Sequence, residues 1–154
     1  MTRIRTGARS DGFSLIELLI VVGLISVMAG AAIPSITAGM RRYSLISASQ
    51  QVVSTIRAAR HQAVGRNAIL RVRFDHPAAG QYQVLDAADA GVGNVQYLPQ
   101  GANFSAVSGD IQITTSGRVT DLAGVPTTET IVVSNDDGQS RTITVSASGR
   151  VQLP

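Results

Sequence analysis

The sequence predicts an α+β protein: one long N-terminal helix, apolar at first and amphipathic later, packed on an antiparallel β-sheet. Three observations lead there. From Phe13 to Ile33 only one of 21 residues is charged. From Ser35 to about Gly65 apolar residues recur at spacings of three and four. Beyond Ala68 the pattern turns to alternation broken by Gly, Asp and Asn.

Met1–Gly12 is short and basic, with Arg3, Arg5 and Arg9 against Asp11. No apolar run precedes Gly12, so the segment differs from a secretory signal peptide, whose apolar region lies before the cut. Phe13–Ile33 follows directly. A helix of that length spans about 31 Å, enough for a hydrocarbon core. Residues 13–34 are therefore expected to cross a membrane, with the arginines of the leader keeping residues 1–12 on the cytoplasmic side. Gly23, Gly30 and the alanines at 29, 31 and 32 make part of the helix slim, which suits close helix packing. Pro34 removes a backbone donor and is expected to kink or loosen the helix.

Glu17 is the single charge in that span, one turn after Phe13. A carboxylate in lipid needs a partner or a proton. The span holds no Lys, Arg or His, so a cation must come from elsewhere. A chain cut after Gly12 would supply one, the free ammonium of Phe13. In a bundle of identical helices it could neutralise Glu17 of another subunit and fix the axial register.

Gly12-Phe13-Ser14-Leu15-Ile16-Glu17-Leu18-Leu19 resembles the class III signal of type IV pilins and type II secretion pseudopilins. The resemblance implies a pilin-like fold and cleavage by a prepilin peptidase between Gly12 and Phe13. It also implies N-methylation of Phe13 and assembly guided by Glu17. The partners it implies are other pilins or pseudopilins, the peptidase and the bacterial inner membrane, with the C-terminal domain in the periplasm.

The downstream helix, residues 35–65, carries Leu45, Ala48, Val52, Ile56, Ala59 and Ala63 on one stripe, which should face the sheet. Expected strands, within 68–154, are Ile69–Phe74, Gln81–Leu85, Val95–Leu98, Ile111–Thr115, Thr130–Ser134, Thr142–Ser146 and a short edge at Val151–Leu153. Asp75–Gly80 and Asn135-Asp136-Asp137-Gly138 read as hairpin turns. Ser116-Gly117-Arg118-Val119 recurs as Ser148-Gly149-Arg150-Val151, one turn solution used twice.

Little points to catalysis. There is no Cys, no Gly-rich phosphate loop, and the two histidines, His61 and His76, sit in a helix and a turn as surface residues. Asp86, Asp89, Asp136 and Asp137 lack the ligand spacing of a calcium loop and read as turn caps. No catalytic residue, cofactor or metal is expected.

All thirteen basic residues are Arg, and the formal charge is +3. Without the leader, ten Arg face nine acids, so the basic balance is weak evidence for nucleic acid. The distribution says more. Seven Arg lie between residues 41 and 73 with no acid among them, and eight acids lie from Asp75 to Pro154 with three Arg. One reading is basic-to-acidic packing between subunits; another is phosphate contact; a third is a solvated helix face.

The helix, Arg73-Phe74-Asp75, the hairpin and the late Ser-Gly-Arg-Val turn resemble the GspH/FimT group of minor pilins and pseudopilins. That resemblance implies a structural subunit at or near the tip of a type II secretion pseudopilus or type IV pilus. In the FimT branch a C-terminal Gly-Arg-x-Arg motif is linked to DNA uptake. Here the stretch is Gly149-Arg150-Val151-Gln152, without the second Arg. The alternative reading is thus a FimT-like or membrane-anchored module that binds DNA through Arg150 with Arg118 and Arg141.

Overall fold

A computed structural model of the protein describes residues 13–154, with the side chains of 31–35 left aside. The expectations for the leader and for Gly12 lie outside the described residues. Contacts divide the chain into two units, one ending at Thr37 and one running from Ala38 to Pro154. A single helix assignment, α1 (Leu15–Arg66), extends from the first unit into the second. It passes through Pro34 without interruption, so the expected loosening does not appear as a break in the assignment.

In the first unit the Ser14 carbonyl accepts the first helical bonds, from the backbone N–H of Glu17 at 3.0 Å and of Leu18 at 3.2 Å. Every side chain described from Phe13 to Gly30 is exposed. Ser26 turns its hydroxyl back onto the Val22 carbonyl at 2.8 Å, which satisfies a polar group on an otherwise apolar surface. Among the described residues no helix is long and apolar enough to cross a membrane. Leu15–Gly30 is shorter than the roughly 20 residues a crossing needs; the remainder of the apolar sequence runs on to Ile33.

In the second unit the helix presents the predicted stripe. Leu45, Ala48, Val52, Ile56, Ala59 and Ala63 are all buried. The helix ends one residue beyond the expected Gly65. Asn67 takes a left-handed conformation (φ 50°), its N–H bonds to the Val64 carbonyl, and the Ala68 N–H reaches the Ala63 carbonyl at 3.0 Å. These two bonds form a Schellman cap with Asn in the place Gly usually fills.

Nine strands follow: β1 (Leu70–Phe74), β2 (Gln81–Asp86), β3 (Gln96–Tyr97), β4 (Ala102–Val107), β5 (Ile111–Ile113), β6 (Val119–Thr120), β7 (Glu129–Asn135), β8 (Ser140–Val145) and β9 (Val151–Gln152). The expected single sheet is two. One has the order β3-β2-β1-β5-β6 and the other β4-β7-β8-β9, and all strand pairs are antiparallel. β4 and β6 carry no clear alternation in sequence. In β4 the register shifts between Phe104 and Ala106, a bulge that breaks the period of two.

Leu70, Val72 and Phe74 of β1 face the core, as do Ile131 and Val133 of β7 and Ile143 and Val145 of β8. Phe74 and Tyr82 of the first sheet meet Phe104 of the second, with ring centroids 5.3 and 5.9 Å from Phe104 in edge-to-face geometry. Tyr82 is fully buried, and that burial pushes its phenol pKa above the ordinary value, with a smaller opposing effect from Thr55. Both predicted hairpin turns form. Asp75 accepts the Gly80 N–H at 2.9 Å, and Asn135 accepts the Gln139 N–H through its side chain at 2.9 Å.

Candidate functional site

Two regions carry the residues singled out in the sequence. The first is the start of α1. Phe13 is 80% exposed, and Glu17 lies in the first helical turn, where a carboxylate also complements the helix dipole. Glu17 makes no side-chain hydrogen bond or ion pair among the described residues. Around it Leu15, Ile16, Leu18, Leu19 and Ile20 project outward.

The second region is built by the repeated Ser-Gly-Arg-Val. The two copies are the same turn, bond for bond. Thr114 N–H donates to the Arg118 carbonyl at 2.9 Å, and Gly117 N–H to the Thr114 carbonyl at 2.8 Å. Ser146 N–H donates to the Arg150 carbonyl at 3.0 Å, and Gly149 N–H to the Ser146 carbonyl at 2.8 Å. Even the hydroxyl contacts match, Thr114 with Ser116 at 3.1 Å and Ser146 with Ser148 at 2.9 Å. The central glycines have φ of 75° and 77°, the left-handed region that a side chain disfavours.

The turns lie against each other under one helical side chain. Val119 N–H bonds to the Ala147 carbonyl at 3.0 Å. Arg60 Nε donates to the Gly117 carbonyl at 2.9 Å, and its Nη2 reaches the Ser148 carbonyl at 3.5 Å. A Cβ on Gly149 would overlap the Gly117 carbonyl oxygen and lie 2.7 Å from Arg60 Nε. Here the glycines serve the close approach as well as the φ angle.

Beside this junction opens a cleft of about 510 Å³, lined by Arg57, Arg60, His61, Ser148, Gly149, Arg150 and Val151. Arg57, Arg60 and His61 come from one face of α1, at the three-and-four spacing of a helix. The structure thus gathers Arg150 with three basic side chains of the helix. Arg118, its counterpart in the other turn, does not line the cleft, and Arg141 on β8 points its Nη2 to the Pro154 carbonyl at 3.4 Å. The cluster of Arg57, Arg60 and His61 was not predicted. Their spacing was visible, but nothing local in the sequence tied that face to a turn some ninety residues later.

Three other arginines of the basic run, Arg41, Arg71 and Arg73, are taken up by acids, while Arg42 and Arg66 meet none among the described residues. Arg71 meets Asp89 at 2.7 Å, Arg73 meets Asp110 at 2.8 Å and Asp89 at 3.5 Å, and Arg41 pairs with Asp137. Asp86 caps its own loop, accepting the N–H of Ala88 and Ala90. Among the described residues no group of His, Cys, Asp and Glu could hold a metal ion.

Comparison with known proteins gives five findings. The sequence profile described as Type II transport protein GspH matches residues 48–149. The profile described as the prokaryotic N-terminal methylation motif matches residues 7–33. Over 158 aligned residues the chain is 28% identical to the pilin-like protein PilA1 of Thermus thermophilus, covering 92% of this chain and 97% of that one. Among solved structures, the type IV minor pilin FimU of Pseudomonas aeruginosa superposes with a TM-score of 0.59 at 17% identity, over 73% of this chain and 90% of that one. The minor pseudopilin EpsH from the type 2 secretion system of Vibrio cholerae gives 0.53 at 18% identity, over 71% and 94%. These structural likenesses concern the fold.

Proposed function

The chain belongs to the GspH family, and from that membership we infer that it is a minor pilin or pseudopilin, a structural subunit and not an enzyme. It enters a type II secretion pseudopilus or type IV pilus at or near its tip and supports secretion or pilus assembly. The observation that carries this reading is the order of two matches in one chain: the methylation motif over residues 7–33, then the GspH domain over 48–149.

In this reading a prepilin peptidase cuts between Gly12 and Phe13, and the new N-terminus is methylated. The precursor sits in the bacterial inner membrane with the Ala38–Pro154 unit in the periplasm. The exposed Leu, Ile and Val of Phe13–Gly30 support it, because such a surface has to be covered by lipid or by neighbouring helices. So does the unpaired Glu17, which offers a neighbour's ammonium a partner within a low-dielectric bundle, where a lone carboxylate is costly.

The test is intact-mass and N-terminal analysis of the membrane-extracted protein with and without a prepilin peptidase. A peptidase-dependent start at methylated Phe13 is expected. Persistence of the Met1 form beside an active peptidase would refute the pathway.

A further inference from the structure

We propose that the cleft between Arg57, Arg60, His61 and the Ser148–Arg150 turn is a docking site for a carboxylate on a neighbouring filament subunit of a different sequence. The proposal rests on the filament reading above and adds the partner's chemistry and the residues that receive it.

The first ground is charge left over after internal pairing. From Asp75 onward every acid except Asp136 already accepts a bond inside the chain. Asp75, Asp86 and Asp121 cap turns, Asp89, Asp110 and Asp137 hold Arg71, Arg73 and Arg41, and Glu129 accepts the Ser108 hydroxyl. The side chains of Arg57 and Arg150 meet no acid and no acceptor among the described residues. Two cations of the cleft, Arg57 and Arg150, are therefore free, while all but one of the acids from Asp75 onward are occupied. That points to a partner other than a second copy.

The second ground is geometry. Arg60 is held by two carbonyls of the twin turns, so its guanidinium is fixed before any ligand arrives. With Nε and one Nη2 hydrogen given to the carbonyls, the outer Nη1/Nη2 edge of the fixed guanidinium remains to receive a carboxylate at little entropic cost. Arg57, one turn away, and Arg150 add charge from two directions. A cleft of about 510 Å³ has room for one or two acidic side chains or a chain-terminal carboxylate.

The lining argues against nucleic acid. It contains no Phe, Tyr or Trp on which a base could stack. Three arginines would neutralise about three phosphates, too few for useful affinity at physiological salt.

The chain contains no Lys, which makes the test direct. Arg57→Lys and Arg150→Lys each keep the positive charge and place a single ε-amine at the cleft. Zero-length carbodiimide coupling then joins that amine only to a carboxylate in contact with it. The variants are made in the full chain in its native host, filaments are sheared off, and coupled products are mapped by mass spectrometry. Arg66→Lys, outside the cleft, sets the background. We expect isopeptide bonds from positions 57 and 150 to Asp, Glu or a C-terminus of another filament subunit, at least tenfold above position 66. Arg57→Glu with Arg150→Glu should lower filament-associated protein at least tenfold without lowering the melting temperature.

Assembled filaments with no coupling above background overturn the proposal and leave the filament reading intact. So does coupling only to copies of this chain, or protection of the amines by DNA. Absence of the wild-type chain from filaments overturns the filament reading, and the docking proposal with it.

Discussion

Gly149→Ala tests the twin-turn junction quantitatively. An Ala at φ 77° costs about 1–2 kcal/mol from backbone strain alone. Its Cβ would also press into the Gly117 carbonyl and approach Arg60 Nε to 2.7 Å, and such overpacking costs roughly 1–3 kcal/mol more. The sum is about 3 kcal/mol. With an unfolding entropy of about 2.1 cal/mol/K per residue, the Ala38–Pro154 unit has roughly 0.25 kcal/mol/K, so the midpoint should fall by about 12 °C. The control is Gly80→Ala, which has φ of 71° but no atom within 4 Å of the added Cβ. It bears the strain without the collision and should lose about 4–8 °C. Thermal melts of the full chain in detergent, followed by circular dichroism, make the comparison. Equal losses at the two sites would refute the claim that the turns are locked against each other, leaving only a φ requirement.

The other predictions are separate. Arg60→Met should cost about 1.5–3 kcal/mol in denaturant unfolding, because a charged donor to the Gly117 carbonyl is lost; a change under 0.5 kcal/mol would remove Arg60 as the clamp. Phe74→Ala should cost about 3–5 kcal/mol by the same assay, since it empties the ring cluster joining the two sheets, and a loss below 1 kcal/mol would contradict that role. Tyr82 has a raised pKa in the folded state, so its contribution is complete below pH 10 and is lost as pH rises from there through the folded value. Tyr82→Phe should flatten the fall in stability above pH 10 seen in chemical denaturation, and an unchanged alkaline slope would exclude Tyr82 as its source. Glu17→Val should leave cleavage intact and cut recovery in sheared filaments, and normal recovery would dismiss the pairing of Glu17.

Periodicity carried the fold as far as local signals reach. The helical stripe from Leu45 to Ala63 was legible because each member repeats at three or four and every one is buried. The two hairpins were legible because Asp75–Gly80 and Asn135–Gly138 hold residues that close turns by themselves. The division into two sheets was not. It depends on β1 pairing with β5 and β4 with β7, contacts between segments far apart in sequence that no local pattern encodes. β4 also hid behind its bulge at Ser105, which puts Phe104 and Ala106 out of simple alternation.

The same limit explains the site. A repeated Ser-Gly-Arg-Val says that one turn occurs twice, and the matching hydrogen bonds follow from that. It does not say that the turns will touch, and only their contact turns Arg150 toward the helix while Arg118, in the equivalent position, stays outside the cleft. Reading Arg118, Arg141 and Arg150 as one group treats charges by their place near the C-terminus. The fold sorts them by neighbour: Arg141 to the Pro154 carbonyl, Arg150 to Arg57, Arg60 and His61. Like charges gathered in one exposed cleft repel, by at most about 1 kcal/mol per pair in water at about 4 Å and less at greater separation. A chain that pairs Arg41, Arg71 and Arg73 with acids yet gives this group no acid keeps a site whose stability rises when a carboxylate enters it. Salt should therefore stabilise the unliganded protein by screening the cluster, and Arg57→Gln should reduce that salt effect in the same melts. A salt dependence unchanged by Arg57→Gln would mean that the cleft stores no repulsion for a partner to relieve.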